Sequence, residues 1–196
     1  MQRPHGTRVG PASAQQPAPT GNPPATDERG ASGGSPGAKL LFFAVAVVVL
    51  AADRLTKWAV MRSLAEGASR SLLGSVVSLT HRHNTGAAFG LLPTWTMLLA
   101  AVAVIVIMVL LLYGASGLLR SRLLVAALGL QLGGAAGNLY DRLALGYVVD
   151  FVDLHFWPAF NVADAAITVG ALIVAYFLIR GGEKGEGPPA PKDSAS

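Results

Sequence analysis

The chain has 196 residues, of which 52% are hydrophobic and 13% are charged, whereas a soluble domain carries about 25% charged residues. Lysine and arginine together number 15 and aspartate and glutamate 11, which gives a formal net charge of +4. The absence of cysteine excludes disulfides, cysteine nucleophiles, thiolate zinc sites and iron–sulfur clusters. The hydrophobic residues are unevenly distributed, and their distribution indicates the class of protein.

Both ends of the chain have the composition of disordered segments. Residues 1–38 contain many prolines and no aromatic residue, and such a segment buries too little apolar surface to offset the entropy of ordering. Residues 182–196 are similarly poor in large apolar side chains. We therefore predict two disordered tails around one domain at residues 39–181.

Four long apolar stretches lie between the tails, at about residues 40–60, 91–113, 123–140 and 163–179. Each is close to the length of about 20 residues that a helix needs to cross a bilayer. The second stretch carries no charge and has Trp95 and Tyr113 at its ends, where interfacial aromatic residues belong. The pattern predicts an all-α membrane protein with four transmembrane helices, in preference to a soluble protein with buried helices.

Lysine and arginine indicate the orientation of these helices. Lysine or arginine occurs at the cytoplasmic ends of the stretches, in both tails and in the loop between the second and third stretches, whereas residues 143–162 contain neither. The three arginines in residues 59–90 are a mild exception. The positive-inside rule therefore predicts that both termini are cytoplasmic and that residues 59–90 and 143–162 lie outside. Within the first outer connection, residues 76–84 are rich in β-branched side chains, which predicts a small extracytoplasmic β-element between helices 1 and 2.

Acidic residues in or beside the stretches share one predicted depth. At 1.5 Å per residue, Asp53 lies roughly 20 Å and Asp141 roughly 28 Å from the cytoplasmic start of its helix. Asp150 and Asp153 follow in a predicted outer loop, and Asp164 follows in the first turn of the fourth stretch. Near the outer face we therefore expect five carboxylates: Asp53, Asp141, Asp150, Asp153 and Asp164. The alternative is chance placement at an interface, where charges cost least.

Local spacing suggests partners for some of these residues. Asp53 and Lys57 are separated by four residues, so they share one helix face and are predicted to form a structural ion pair. Asp141 and the following Arg142 are interpreted as an orienting pair. Asn138 needs polar partners at its depth, and a substrate backbone is one candidate.

Two further patterns predict helix geometry. Gly129, Gly133 and Gly137 recur every four residues, which allows a neighbouring helix to approach closely. The segment N-V-A-D, from Asn161 to Asp164, has the spacing of a capping box, with aspartate in place of glutamate or glutamine. The positive end of the helix dipole favours a carboxylate at this position.

Metal and serine chemistry have weaker support in the sequence. His81 and His83 alternate along the presumed strand and so face one side, and His155 or an aspartate could supply a third ligand. Two histidines on one strand face are a weak signal without an established third ligand, and we predict no metal site. The chain contains neither G-x-S-x-G nor a phosphate-binding P-loop motif.

Five motifs occur in chain order: D-R-L-T-K at 53–57, N-T-G-A-A-F-G at 84–90, G-G-A-A-G-N-L-Y-D-R at 133–142, V-V-D-F at 148–151 and F-N-V-A-D-A-A-I at 160–167. In this combination the chain resembles the bacterial lipoprotein (type II) signal peptidases. The resemblance covers about residues 40–180. The long N-terminal tail lies outside the family pattern, and the loop between Phe151 and Phe160 is short for the family.

The resemblance implies an intramembrane aspartic endopeptidase that removes signal peptides from prolipoproteins by cleaving before the diacylglyceryl-modified cysteine. Its catalytic pair would be Asp150 and Asp164. Residues implied to hold the substrate or orient this pair are Asn84, Gly86, Asn138, Asp141, Arg142 and Asn161.

The same resemblance implies partners and location. Diacylglyceryl-prolipoproteins are the implied substrates, membrane lipids surround the enzyme, and the cyclic peptide globomycin is the implied inhibitor. Neither a metal, a cofactor nor a nucleic acid is expected, and the protein is expected to be a monomer. It would lie in the bacterial cytoplasmic membrane with its active site near the outer face.

Two rival functions are less consistent with the sequence. Intramembrane aspartic proteases of the presenilin or prepilin-peptidase kind carry G-x-G-D, which this chain lacks. A small transporter or scaffold would carry its acidic residues nearer the bilayer midplane than these aspartates are predicted to lie.

Overall fold

The computed structural model describes residues 36–86, 94–116 and 121–182. Most of the two predicted tails lies outside these ranges, although the first helix already begins at Pro36. In chain order the elements are α1 (Pro36–Ser63), β1 (Ser69–Leu73), β2 (Val77–Asn84), α2 (Thr94–Ser116), α3 (Arg122–Ala144), β3 (Val148–Asp153) and α4 (Val162–Gly182).

Among the described residues, three helices are long and apolar enough to cross a membrane: Trp95–Gly114, Arg122–Ala144 and Val162–Arg180. They correspond to the second, third and fourth predicted spans. The first helix, α1, is 28 residues long but carries three charged residues in one turn, Asp53, Arg54 and Lys57. The chain is therefore mostly helical as expected, and the first of the four spans stays a prediction.

The β-element is larger than predicted. It is a three-stranded antiparallel sheet in the order β1-β2-β3, and its third strand comes from the connection between α3 and α4. The predicted loop position of Asp150 and Asp153 is wrong: both lie on β3, opposite Arg82 and Ser78 of β2, respectively. Aspartate has a low intrinsic preference for strands, but pairing with β2 overrides that local preference.

Helix α3 is the centre of the helical packing and contacts each of the other three helices. A Cβ atom on Gly133 would lie 2.5 Å from the backbone oxygen of Ala46 in α1. On Gly137 it would lie 2.6 Å from Oδ2 of Asp53, and on Gly134 it would lie 2.5 Å from the backbone oxygen of Ala163 in α4. The predicted close approach at the glycine repeat is confirmed, and both α1 and α4 pack closely on the glycine-rich part of α3.

Apolar and polar residues are distributed differently from those of a soluble protein. One apolar core lies between α1, α2 and α3 and contains Phe42, Ala46, Leu110, Val125, Leu128 and Leu132. Many large apolar side chains on the helices are exposed, whereas several ionisable or amide side chains are buried: Asp53, Lys57, Asn138, Asp141, Asp150 and Asn161. The surface of the helices therefore suits a lipid environment, and the polar interior concentrates in one place.

Candidate active site

The N-terminus of α4 forms the capping box that the sequence predicted. Oδ1 of Asn161 accepts a hydrogen bond from the backbone N–H of Asp164 at 2.9 Å. In return, Oδ2 of Asp164 accepts one from the backbone N–H of Asn161 at 3.3 Å. This reciprocal arrangement fixes the Asp164 carboxylate at the positive end of the helix.

The second oxygen of Asp164 is held from another helix. Nδ2 of Asn138, on α3, donates to Oδ1 of Asp164 at 2.7 Å. Asp164 is half-buried, so its carboxylate is both hydrogen-bonded by the protein and accessible from outside. Asn138 therefore has the polar partner that its depth requires.

The carboxylate of Asp150 enters the same region from β3. It is 2% exposed and accepts hydrogen bonds from Nδ2 of Asn161 at 2.8 Å and from Nδ2 of Asn84 at 2.9 Å. Burial of the carboxyl raises the pKa of Asp150 to about 6, the two amide donors oppose this rise, and the charge of Asp164 adds to it. Asn161 donates to both carboxylates, since its side chain contacts Asp150 and its backbone contacts Asp164.

A turn after β2 orients Asn84. Oδ1 of Asn84 accepts from the backbone N–H of Gly86 at 2.8 Å, so its Nδ2 group is free to face Asp150. Gly86 has φ of +76°, a conformation that glycine adopts at little cost, and a Cβ atom there would collide with the Leu99 side chain. The rest of this motif, residues 87–90, lies outside the described residues.

A buried ion cluster lies behind the two carboxylates. Nζ of Lys57 lies 2.9 Å from Oδ2 of Asp53 and 2.7 Å from Oδ2 of Asp141, with all three side chains fully buried. The predicted Asp53–Lys57 ion pair is confirmed. Lys57 also donates to Oδ1 of Asn138 at 3.0 Å, which connects the cluster to the candidate site.

Asp141 does not form the predicted pair with Arg142. Its oxygens pair with Lys57 at 2.7 Å and with Arg54 at 2.6 Å, whereas Arg142 donates to the backbone oxygen of Asn138 at 3.3 Å. Consecutive residues on a helix do not face each other, which explains the error. Oδ2 of Asp141 also accepts from the backbone N–H of Val149, so Asp141 ties α3 to the strand that carries Asp150.

Two cavities meet at Asp164. One has a volume of about 270 Å³ and lies between α2, α3 and α4; its lining includes Leu99, Val102, Val106, Asn138, Arg142 and Asp164. The other has a volume of about 370 Å³ and is lined by Leu154, Phe156, Trp157, Phe160, Asp164, Ala165, Thr168 and Val169. Both are largely apolar, so apolar groups could approach the Asp164 carboxylate from either side.

Among the described residues, His81, His83 and His155 contact groups other than the two carboxylates. His81 and His83 face the same side of β2 with ring centroids 5.1 Å apart, and their Nδ1 atoms contact the backbone oxygen of Leu64 and the Glu66 carboxylate. His155 instead contacts Ser78. Within the described ranges, no group of three histidine, cysteine or acidic residues could hold a metal ion.

Comparison with known proteins identifies the family. A family model described as signal peptidase (SPase) II matches residues 45–180 of the chain. The chain belongs to the signal peptidase II family. This membership confirms the resemblance and, together with the apolar helices, indicates a membrane protein with several spans.

Individual relatives of this signal peptidase II family member cover most of its length. The lipoprotein signal peptidase of Moorella thermoacetica is 43% identical over 148 residues, which are 75% of this chain and 99% of that protein. The lipoprotein signal peptidase of Rhodococcus jostii is 42% identical over 149 residues, covering 73% of this chain and 74% of that protein.

The fold is also similar to that of a solved protein. A bacterial membrane enzyme, solved by the in meso method at 2.3 Å resolution, is 25% identical to this chain with a TM-score of 0.69. The match covers 81% of this chain and 97% of that one.

Sequence reasoning on this signal peptidase II family member missed Arg54. Its guanidinium pairs with Asp141 and lies 4.7 Å from the centre of the Tyr140 ring. A signal was present, because Arg54 precedes Lys57 by three residues and so shares its helix face. The spacing within α1 does not predict that the partner of Arg54 on α3 is Asp141.

Proposed function

We propose that this protein is an intramembrane aspartic endopeptidase that removes signal peptides from prolipoproteins, cleaving before the diacylglyceryl-modified cysteine. The main observation in support is that Asn161 donates hydrogen bonds to two carboxylates from different elements, Asp150 of β3 and Asp164 of α4. Family membership supports the class of substrate, because the curated relatives are lipoprotein signal peptidases.

Paired carboxylates hydrolyse peptides by dividing two roles. The ionised partner takes a proton from water, whose oxygen attacks the scissile carbonyl carbon, while the protonated partner donates to the carbonyl oxygen. The tetrahedral intermediate then collapses and the C–N bond breaks; the leaving nitrogen takes the proton that the first carboxylate removed from water, and a hydroxyl of the intermediate returns a proton to the second carboxylate. Two close carboxylates cannot both ionise readily, so the pair shares one proton.

The surroundings of the two aspartates favour one division of these roles. Asp164 lies in the first turn of α4, where the helix dipole stabilises an anion, so we assign it to activate water. Asp150 is buried and its pKa is raised to about 6, so we assign it to hold the proton. The two carboxyl groups interact, so the shared proton belongs to the pair as a whole, and the assignment states which residue holds it in the resting enzyme.

The remaining polar residues are proposed to serve this pair and the substrate. Asn84, Asn138 and Asn161 orient the carboxylates through the hydrogen bonds described above. Arg142 lines the cavity between α2, α3 and α4, where its side chain could hold a substrate backbone carbonyl. The proposed partners are diacylglyceryl-prolipoproteins and membrane lipids, with globomycin as an inhibitor, and the proposed unit is a monomer that acts without a metal or cofactor.

The decisive experiment is cleavage by the purified full-length protein in lipid. We expect a prolipoprotein carrying diacylglycerol on its cysteine to be cut immediately before that cysteine, and the same polypeptide without the lipid to be cut poorly. The products are identified by mass spectrometry. Cleavage at another bond, or no cleavage of the lipid-modified substrate by folded protein, would contradict the proposal.

We further propose that α1 is a fourth span of a protein in the bacterial cytoplasmic membrane. Its first 17 residues carry one charged side chain, Lys39. The charges of Asp53, Arg54 and Lys57 are paired with one another and with Asp141 on α3, and Arg62 lies in the last turn of the helix. With four spans, the basic segments all lie on the cytoplasmic side, so both termini are cytoplasmic and the sheet lies outside.

This topology predicts the result of reporter fusions. A reporter joined after Ser196 should report a cytoplasmic location, and one inserted in the hairpin at residues 66–74 should report an extracytoplasmic location. The basic residues of the tails and of the loop before α3 give the physical reason. An extracytoplasmic signal from the C-terminal fusion would contradict the proposed number of spans or their orientation.

A further inference from the structure

Lys57 is a charged side chain with no exposed surface. Its ammonium contacts three oxygens: Oδ2 of Asp53 at 2.9 Å, Oδ2 of Asp141 at 2.7 Å and Oδ1 of Asn138 at 3.0 Å. An ammonium has three N–H donors and no acceptor. All three N–H donors of Lys57 are therefore used. Two of the acceptors are the carboxylates of Asp53 and Asp141, and the third is the neutral amide oxygen of Asn138.

The neutral acceptor has a consequence for the Asn138 amide. Because an ammonium only donates, the end of the amide that faces Lys57 must be the oxygen. The opposite end, Nδ2, then faces Oδ1 of Asp164 at 2.7 Å. Turning the amide over would place its N–H₂ group against an ammonium and its oxygen against a carboxylate, and both contacts would be repulsive.

The orientation passes on to Asn161. Oδ1 of Asn138 also accepts from Nδ2 of Asn161 at 3.2 Å, and the same Nδ2 group donates to Asp150 at 2.8 Å. The Asn138 and Asn161 amides thus direct their N–H donors toward Asp164 and Asp150. The direction of these hydrogen bonds is set by Lys57, because its ammonium can only donate.

We propose that Lys57 is a positioning residue that fixes the orientation of Asn138, and through it Asn161, so that both candidate catalytic carboxylates receive N–H donors. The inference rests on the proposed function. It extends the structural role predicted for the Asp53–Lys57 pair, because it assigns to Lys57 an effect on the site that Asp53 does not share.

Arg54 provides a matched control. It is a second cation of the same cluster, 3.4 Å from Asp53 and 2.6 Å from Asp141, and within the described part of the chain it forms no hydrogen bond with Asn138. Replacing either cation by methionine leaves an unbalanced carboxylate in the cluster, so both changes should lower stability. Only the change at Lys57 should release the Asn138 amide.

The test compares Lys57→Met with Arg54→Met in cleavage of a diacylglyceryl-modified prolipoprotein. We expect both variants to unfold at lower temperature in detergent. Lys57→Met should also lower kcat about 10- to 100-fold, the range for a lost hydrogen bond to a charged group, with little change in KM.

A double-mutant cycle separates positioning from stability. If Lys57 acts through Asn138, Lys57→Met combined with Asn138→Ala should be no slower than Asn138→Ala alone. Losses that multiply would overturn the proposal, as would a Lys57→Met variant with the kcat of the wild type.

If Lys57→Met does not fold, a double substitution that leaves the net charge of the cluster unchanged can replace it in the test. Asp53→Asn with Lys57→Met removes one charge of each sign and leaves Arg54 paired with Asp141. We expect kcat of this double variant to fall about 10- to 100-fold, whereas kcat of Asp53→Asn alone should stay near that of the wild type. Equal kcat values for the double variant and for Asp53→Asn would overturn the proposal. A wild type that does not cleave the lipid-modified substrate would contradict the proposed function itself.

Discussion

Asp150→Asn and Asp164→Asn should each reduce kcat for a lipid-modified prolipoprotein by about 100- to 10,000-fold, the contribution of a general acid or base. An amide keeps the size of the carboxyl group but neither takes up nor releases the proton. The double variant should be scarcely slower than either single variant, because the two groups act as one unit. Rates are measured with purified enzyme, alongside thermal unfolding to show that each variant folds.

Asp153→Asn is the matched control for this prediction. Asp153 lies on the same strand as Asp150, but its partners are Arg82 at 3.0 Å and the backbone N–H of His155. We expect its kcat to stay close to that of the wild type. Asp141→Asn should show a partial defect, since it weakens the hold on Val149 and Lys57; an inactive Asp141→Asn beside a normally active Asp150→Asn would show that the catalytic pair is misassigned.

The division of roles within the pair predicts a pH dependence of the same rate. Burial raises the pKa of Asp150 to about 6, so its protonated form persists to a higher pH than an ordinary aspartic acid would allow. As pH rises through this value, Asp150 loses the proton that it donates, and kcat should fall on the basic side. A rate that keeps rising above pH 6 would contradict the assignment of Asp150 as the proton donor.

Asp53→Asn should destabilise the protein more than it slows the reaction. The Asp53 carboxylate is fully buried, pairs with Lys57 and accepts a hydrogen bond from the backbone N–H of Ala163 at 3.1 Å. Removing one partner of a buried ion pair costs about 3–5 kcal/mol of unfolding free energy. We expect a lower yield in the membrane and a lower unfolding temperature in detergent, with kcat of the folded fraction largely kept.

Glu66→Gln makes the same chemical change at an exposed ion pair. The Glu66 side chain is 67% exposed and contacts His83 at 2.8 Å, and exposed pairs contribute about 0–1 kcal/mol. Its unfolding temperature should therefore stay near that of the wild type. If both variants unfold alike and only Asp53→Asn loses turnover, Asp53 belongs to the catalytic machinery instead.

The features that the sequence predicted correctly are those in which both partners lie within one turn of a helix. Asn161 and Asp164 are three residues apart and Asp53 and Lys57 four, so helix geometry alone brings each pair together. The glycine repeat on α3 is similarly local, because a close approach requires only that one face lack side chains.

The contacts that were missed join residues distant in the chain. Arg54 meets Asp141, and Lys57 meets Asn138, only because α1 packs on α3. Strand β3 escaped prediction since its two aspartates resemble a loop when viewed locally, whereas their strand conformation depends on pairing with β2. Such partners are set by the packing of whole elements, which spacing along one segment does not encode.

The backbone N–H of Ala163 donates to Asp53, 110 residues earlier in the chain, and this has a consequence for biosynthesis. As the ribosome extends the nascent polypeptide, the first helix is made long before the residues that complete its polar contacts. Asp141 arrives with α3, and both the donor to Asp53 and the Asp164 carboxylate arrive only with α4. If Asp164 is catalytic as proposed, a nascent chain that stops short of the last helix lacks one of the two catalytic carboxylates, and we expect cleavage only after α4 has been made and inserted.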